Sequence, residues 1–515
     1  MKGGLCFELG ATPRVTQGIA MPGRLGSALS AACNAFSTAV AASSGKMTYS
    51  YADLATHARS VTTTLRAAGN HADEPVHINV SNDPLDLAAL LGVWEAGAVA
   101  VPVHRNTPAA AVASVQAKSG ARFLVDMRAR AGSADSILSV ISPNAPPFRP
   151  ILKDAAFIIF TSGSTGAPKG VVVAHDAFHG KLAQIDRLLA FAPGERSLLV
   201  LNITFSFGLW VSLLTLFKGG TLVMREKFEP ASFLQTILDE RITRVGMVPT
   251  MMRVLFSRPE LIGGIDAINS AGMLRQIMIG GESLGHSLAH TIRQRFSNSD
   301  LIDIYGLTET ATCDFFSFPP DYAMHPGCIG RVSPNVQYRI ADADGVALAD
   351  GAVGELQLRS PYLMNGYLDE PALTAAAFSD GWFRTGDLAR TVGDEVVELM
   401  GRSKEIISRG GNKVTPVEIE QVLCAHPDIV AAMVVGVADP VLGEHIHALV
   451  VMRNGAAGDP SILRQFLGDK LERFKQPDAY YVMDELPLGR TGKADRGSLK
   501  SMIMSGAISP LTMPA

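Results

Sequence analysis

Ten consecutive residues, Thr161-Ser-Gly-Ser-Thr-Gly-Ala-Pro-Lys-Gly170, have the composition of a loop that grips phosphate. Glycines let the backbone turn tightly enough for several N–H groups and Ser/Thr hydroxyls to converge on one point, and Lys169 adds a positive charge there. The segment follows the apolar run Ala155-Ala-Phe-Ile-Ile-Phe160, so it reads as a buried strand opening into a loop suited to a polyphosphate. It is not the commoner nucleotide loop G-x-x-x-x-G-K-[ST], because Pro168 precedes the lysine and Gly170 follows it. A surface linker rich in Ser, Gly and Thr is the plain alternative, and the strongly apolar flanks count against it.

The elements that must hold such a loop belong to a large molecule. With 515 residues, 47% of them hydrophobic, the chain reads as two or more domains with sizeable cores. Lys+Arg 45 against Asp+Glu 49 gives a formal charge of -4, so no global basic field points to nucleic acid or an anionic membrane. Five scattered cysteines, Cys6, Cys33, Cys313, Cys328 and Cys424, form no C-x-x-C pair. That indicates neither a disulfide framework nor a zinc cluster and fits a reducing, cytoplasmic setting. Glu8 and nearby glycines break the N-terminal apolar stretch, which therefore does not read as a signal peptide. Ser197 to Phe217 is uncharged and long enough to span a membrane. Asn202, Thr204, Ser206, Gly208, Ser212 and Thr215 interrupt it, so a buried strand, turn and helix is expected instead. His445 and His447 alternate on a Val/Ala-rich strand without a carboxylate set, which favours exposed strand positions over metal ligands.

Asp83 to Gly97 has helical spacing and feeds a short buried strand, Ala98 to Val103. Further strands are expected at 157–160, 197–201, 220–224, 244–248, 276–279 and 301–304, with helices such as 230–240 and 284–296 between them. The fold class is α/β, with parallel-rich βα layers covered by helices. From about Pro326, short alternating segments with Gly, Asp and Pro turns predict an antiparallel, barrel-like subdomain. After Gly401-Arg-Ser-Lys404 a small α+β unit begins, with helix 416–425, strands 429–437 and 445–452, helix 461–471 and strand 480–483. The expected domains are 1–401 and 402–515.

Six stretches now stand in one order: Thr161 to Gly170, Gly280-Gly-Glu282, Tyr305-Gly-Leu-Thr-Glu309, Trp382-Phe-Arg-Thr-Gly-Asp387, Gly401-Arg-Ser-Lys-Glu405 and Pro487-Leu-Gly-Arg-Thr-Gly-Lys493. In this order they resemble the acyl-adenylate-forming superfamily of acyl-CoA synthetases, peptide-synthetase adenylation domains and firefly-type luciferases, over nearly the whole chain. The resemblance implies a reaction in which a carboxylate joins the α-phosphate of ATP, pyrophosphate leaves, and the acyl group passes from AMP to a thiol.

It also implies roles. Thr161, Ser162, Gly163, Ser164, Thr165, Gly166 and Lys169 would hold the β- and γ-phosphates in a mobile loop. Glu309 would bind Mg²⁺ while Thr308 bonds the α-phosphate; the plain reading of Glu309 is a first-turn helix carboxylate. Gly280, Gly281 and Glu282 would give adenine a flat backbone surface, with Tyr305 and Gly306 on its other side. Asp303 would accept from the adenine amino group, or stand as an ordinary strand-end carboxylate. Asp387, reinforced by Arg402, would accept from the ribose hydroxyls, its alternative being a turn residue capping its own backbone. Lys493 would bridge the acid and the ribose-phosphate as a point charge, against the usual solvated surface lysine. Lys404 falls at the family's hinge, about which a mobile C-terminal domain exchanges Lys493 for the loop Ser408 to Lys413, and Gly410 and Gly411 would line a coenzyme A tunnel.

In amino-acid-activating relatives an aspartate holds the substrate ammonium where this chain has Ser206. An unpaired ammonium in an apolar pocket is costly. The expected substrate is therefore a small-molecule carboxylic acid, aliphatic or aryl, but not an α-amino acid. Phe205, Ser206, Phe207, Gly208, Trp210, Thr310 and Cys313 are its candidate walls, and each is equally readable as plain core. ATP, Mg²⁺ and coenzyme A are the expected cofactors and cosubstrate. The alternatives are an acyl carrier protein as acceptor, use of the adenylate for amide formation or oxidation, and a non-catalytic acyl or nucleotide sensor. Neither nucleic acid nor a membrane span is expected, and the chain is a monomer or homodimer.

Overall fold

The computed structural model describes residues 24–45, 47–128, 137–161, 168–453, 458–488 and 494–511. Within the larger, N-terminal domain, a seven-stranded sheet runs in the order Gly366–Tyr367, Lys169–Ala174, Ala155–Thr161, Val99–His104, Pro75–Val80, Phe123–Val125, Leu138–Val140. Its centre is parallel and its edges antiparallel. The first five residues of Ala155–Thr161 are fully buried, as a strand covered on both faces requires. Helix Pro84–Glu95 covers it; Asp83 caps that helix, Pro84 opens it, and Trp94 donates from its indole to the Ala156 carbonyl at 2.9 Å.

A nine-stranded sheet carries Asp300–Tyr305, Gln276–Gly280, Arg244–Met247, Arg196–Leu199 and Thr221–Met224 side by side and parallel. Helix Ser206–Phe217 is buried from Gly208 to Phe217 within the core that the two sheets share. The uncharged run from Ser197 is thus a strand, turn and buried helix, and no described helix is long and apolar enough to cross a membrane.

Gln337–Ala341, Gly354–Arg359, Trp382–Thr391 and Val397–Arg402 pair antiparallel in a third sheet, as the turn-rich texture predicts. The smaller, C-terminal domain builds its own core from Ile407, Val414, Ile419, Leu423, Val434, Ile446, Leu463 and Tyr480. His445 lies 3.3 Å from Asp439, and His447 shares a hydrogen bond with the Tyr481 hydroxyl, so the two are partnered strand residues.

One pairing was not legible beforehand. Lys169–Ala174 is a strand antiparallel to Ala155–Thr161, with Thr161 opposite Lys169. The Ser/Gly/Thr segment therefore connects two antiparallel strands, and Lys169 stands on the returning one.

Candidate active site

Thr161 and Lys169 lie opposite each other across the strand pair, while Ser162, Gly163, Ser164, Thr165 and Gly166 lie outside the described residues. The Lys169 ammonium sits 5.3 Å from the centre of the Tyr367 ring. Tyr367 belongs to the two-residue strand Gly366–Tyr367, which extends the same sheet against Lys169–Ala174.

Strand Asp300–Tyr305 leads into the second group. A side chain at Gly306 would bring its Cβ to 2.1 Å from the Cys313 backbone nitrogen, so the chain folds back on itself where glycine alone fits. Thr308–Thr310 form a 3₁₀ turn, followed by Ala311, Thr312 and Cys313 at φ 53°, 76° and 48°. Three left-handed non-glycine residues in succession are strained, and the surroundings over-determine them. Asp314 donates its N–H to the Tyr305 carbonyl at 2.7 Å and Thr312 donates to Leu307 at 2.9 Å. The Asp314 carboxylate accepts from the Thr310 hydroxyl and from Lys181, 2.7 Å away in helix His175–Leu189. Both charged side chains are 0% exposed. Neither lies in a recognisable motif, and sequence reasoning missed them.

Glu309 leaves this turn half-buried. Its Oε1 accepts from the Tyr367 hydroxyl at 3.0 Å, and its carbonyl accepts from the Met364 N–H at 2.8 Å. No cluster of three or more His, Cys, Asp or Glu suited to a metal occurs among the described residues. An ion here would take one carboxylate and otherwise substrate oxygens, the mode Mg²⁺ adopts with nucleotide phosphates. Glu309, a hard oxygen ligand with its second oxygen unclaimed by any ion pair among the described residues, fits that mode.

At the opposite end of the segment, the Tyr305 hydroxyl donates to Asp387 Oδ2 at 2.6 Å. Arg402 Nε lies 3.1 Å from Oδ1, across the antiparallel pair Asp387–Arg402. Burial pushes the Asp387 carboxyl up, and Arg402 and Tyr305 oppose that shift. Asp303 points from the same strand, and burial pushes its carboxyl up to about 7, opposed by a backbone hydrogen bond. Gly280 packs so closely on its neighbour that a Cβ would lie 2.3 Å from the Ile304 carbonyl, while Gly281 has φ 87°. Glu282 accepts from Thr250 at 2.8 Å and meets Arg253 at 3.4 Å. Its other oxygen accepts from the Ala494 N–H at 3.3 Å, which seats the small domain against this site. Lys493 itself lies outside the described residues.

Phe205 precedes helix Ser206–Phe217, which starts at Ser206. Phe207 stacks on Trp210 at 5.4 Å with planes 8° apart. Trp210 and Thr310 are fully buried, and burial pushes the Cys313 thiol up to about 12. Gly208 packs where a Cβ would meet the Asn202 carbonyl at 2.5 Å. Lys404 is exposed on the 3₁₀ turn Ser403–Glu405. Gly410 and Gly411, at φ 55° and 80°, form the two-residue turn between Arg409 and Asn412, whose positive dihedrals alone account for glycine there.

Two α/β domains, the larger joining Lys169, Tyr367 and Glu309 at one end of a short segment and Tyr305, Asp387 and Arg402 at the other, make up the candidate site. Residues 29–368 match the family described as AMP-binding enzyme, and residues 418–493 match its C-terminal domain. The chain belongs to this family and is an acyl-adenylate-forming enzyme. It is 30% identical over 480 residues to a feruloyl-CoA synthase of Amycolatopsis sp, covering 90% of this chain and 95% of that protein. It is 31% identical to a sulfoacetate–CoA ligase of Cupriavidus necator, covering 86% and 90% of the two chains. Among solved structures, an amide bond synthetase of Marinactinospora thermotolerans superposes with a TM-score of 0.80 at 28% identity, over 92% of this chain and 99% of that one.

Proposed function

We propose that this enzyme uses ATP to activate a carboxylic acid, aliphatic or aryl but not an α-amino acid. It forms an acyl-AMP with release of pyrophosphate, then passes the acyl group to the thiol of coenzyme A. The reading is carried by the segment Tyr305 to Glu309, whose two ends reach different partners: Tyr305 holds Asp387, and Glu309 holds Tyr367 beside Lys169. Ribose, metal and phosphate contacts would then follow one another along this segment. Ser206 in place of an aspartate leaves no counter-ion at the position where amino-acid-activating relatives carry theirs.

In this scheme Lys169 neutralises the outer phosphates and Thr308 bonds the α-phosphate. Glu309 would hold Mg²⁺, whose charge offsets that of the triphosphate. Asp387 accepts from the ribose hydroxyls in a position fixed by Tyr305 and Arg402. The acid's carboxylate oxygen attacks the α-phosphorus, the bond to pyrophosphate breaks, and Lys493 stabilises the charge that develops. The swing about Lys404 and the thiol passage beside Gly410 and Gly411 belong to the second half-reaction.

The likeness to an amide bond synthetase supports a second reading, in which an amine takes the acyl group from the same adenylate. Acid-dependent ATP–pyrophosphate exchange across a panel of aryl and aliphatic acids tests the first step, and absence of exchange with every acid would refute it. Adding coenzyme A, a phosphopantetheinylated carrier protein or an amine, and identifying the product by mass, separates the acceptors. A thioester of coenzyme A is expected; amide alone would favour the second reading.

A further inference from the structure

Tyr367 stands between the two opposite charges of the phosphate site. Its backbone is fixed to the returning strand, with Tyr367 opposite Val171, and Leu368 donates to the Gly170 carbonyl at 2.8 Å. Three residues earlier, Met364 donates to the Glu309 carbonyl at 2.8 Å, so the same short segment grips the backbone of Glu309. The side chain completes the link, because its hydroxyl donates to Glu309 Oε1 at 3.0 Å while its ring faces the Lys169 ammonium at 5.3 Å. Tyr367 is 7% exposed and well packed, which leaves the ring no freedom to turn away.

Oppositely charged side chains on either side of one ring attract each other, and in a partly desolvated site that attraction is strong. A direct Lys169–Glu309 ion pair would consume both the phosphate cation and the metal carboxylate before nucleotide arrives. No such pair forms: each charge instead engages a different part of one phenol. We infer that Tyr367 is a positioning residue, a spacer that keeps Lys169 and Glu309 apart and sets the carboxylate so that its second oxygen faces the metal. The inference rests on the reading of Glu309 as the metal carboxylate and Lys169 as the phosphate cation.

The two parts of the side chain separate by substitution. Tyr367→Phe keeps the ring and loses the hydroxyl, whereas Tyr367→Leu loses both. The probe is Mn²⁺ binding to the enzyme with a β,γ-methylene analogue of ATP, followed by the electron paramagnetic resonance signal of free Mn²⁺, with adenosine binding by calorimetry as the control. Tyr367→Phe is expected to weaken Mn²⁺ binding about ten-fold, the worth of one hydrogen bond to a charged group. Tyr367→Leu is expected to weaken Mn²⁺ and the analogue together, and both variants should bind adenosine as the parent does. Equal losses for adenosine and Mn²⁺, with a lowered melting temperature, would mean a merely structural tyrosine and overturn the inference. Glu309→Gln distinguishes the underlying reading. If it weakens Mn²⁺ binding while Tyr367→Phe does not, the spacer falls and the metal carboxylate stands; if it leaves Mn²⁺ binding unchanged, both fall.

Discussion

Asp387 is bracketed by a phenol and a guanidinium, so its orientation is set by the protein itself, as the proposed ribose contact requires. Tyr305→Phe removes a hydrogen bond to a charged acceptor and frees the carboxylate to rotate, and AMP affinity measured by calorimetry should fall about ten-fold. A loss as large for inorganic pyrophosphate would argue against a ribose contact. Asp303 adds a dependence on pH. Its carboxyl lies at about 7 in the fold against an ordinary value near 4. The folded protein therefore holds a proton that the unfolded chain has already lost, and this group's contribution to stability falls as pH climbs from about 4 to about 7. Its affinity for an amino group runs the opposite way, because the ionised carboxylate is the better acceptor. Adenosine does not titrate between pH 6 and 8, so its affinity should rise across that range while melting temperature loses ground. Asp303→Asn should flatten both trends relative to the parent, and an unchanged adenosine profile would remove Asp303 from the adenine site.

The turn from Thr308 to Asp314 is the element that presents Glu309, and its strained backbone is anchored by a pair buried out of reach of water. Removing one partner of such a pair leaves a charge without compensation and costs about 3–5 kcal/mol, whereas replacing both with apolar residues is often neutral or better. Lys181→Met is therefore expected to lower unfolding free energy in urea by that amount, and Lys181→Met with Asp314→Leu to recover most of it. A double variant no more stable than the single one would show that the ion pair itself is required. The same turn marks what the sequence discloses and what it withholds. Thr161 to Gly170 is a contiguous run whose composition reads as a phosphate loop, and Gly280 to Glu282 and Tyr305 to Glu309 are contiguous runs singled out by the family resemblance. Lys181 and Asp314 are 133 positions apart, and their meeting is decided by how helix His175–Leu189 packs. Tyr367 hides differently, in a strand of two residues where no periodicity exists to be read. Lys169–Ala174 was masked by the glycine-rich loop it follows, although its Val-Val-Val core is a plain strand signal.

At the scale of the whole molecule, the small domain meets the large one at Glu282. One carboxylate oxygen is held by Thr250 and Arg253 on helix Pro249–Phe256 of the large domain, and the other receives the N–H of Ala494. Cys424 reports the same apposition: burial pushes its thiol up to about 11, and the Arg253 guanidinium of the other domain opposes the shift. Ala494 directly follows Lys493, so this contact acts on the segment that would deliver the lysine to the acid. If Glu282 latches the small domain in the adenylate-forming arrangement, Glu282→Ala should slow acyl-AMP formation about ten-fold, the worth of a charge-assisted bond. Thioester formation from supplied acyl-AMP should be as fast or faster, because that step calls for the domain to leave this position. Glu282→Gln keeps an oxygen for the Ala494 N–H and should restore much of the rate. Lys493→Ala sets the reference, abolishing adenylation while sparing the second half-reaction. A Glu282→Ala enzyme slowed equally in both halves would instead place Glu282 in the nucleotide site alone, since a latch can favour one arrangement only at the expense of the other.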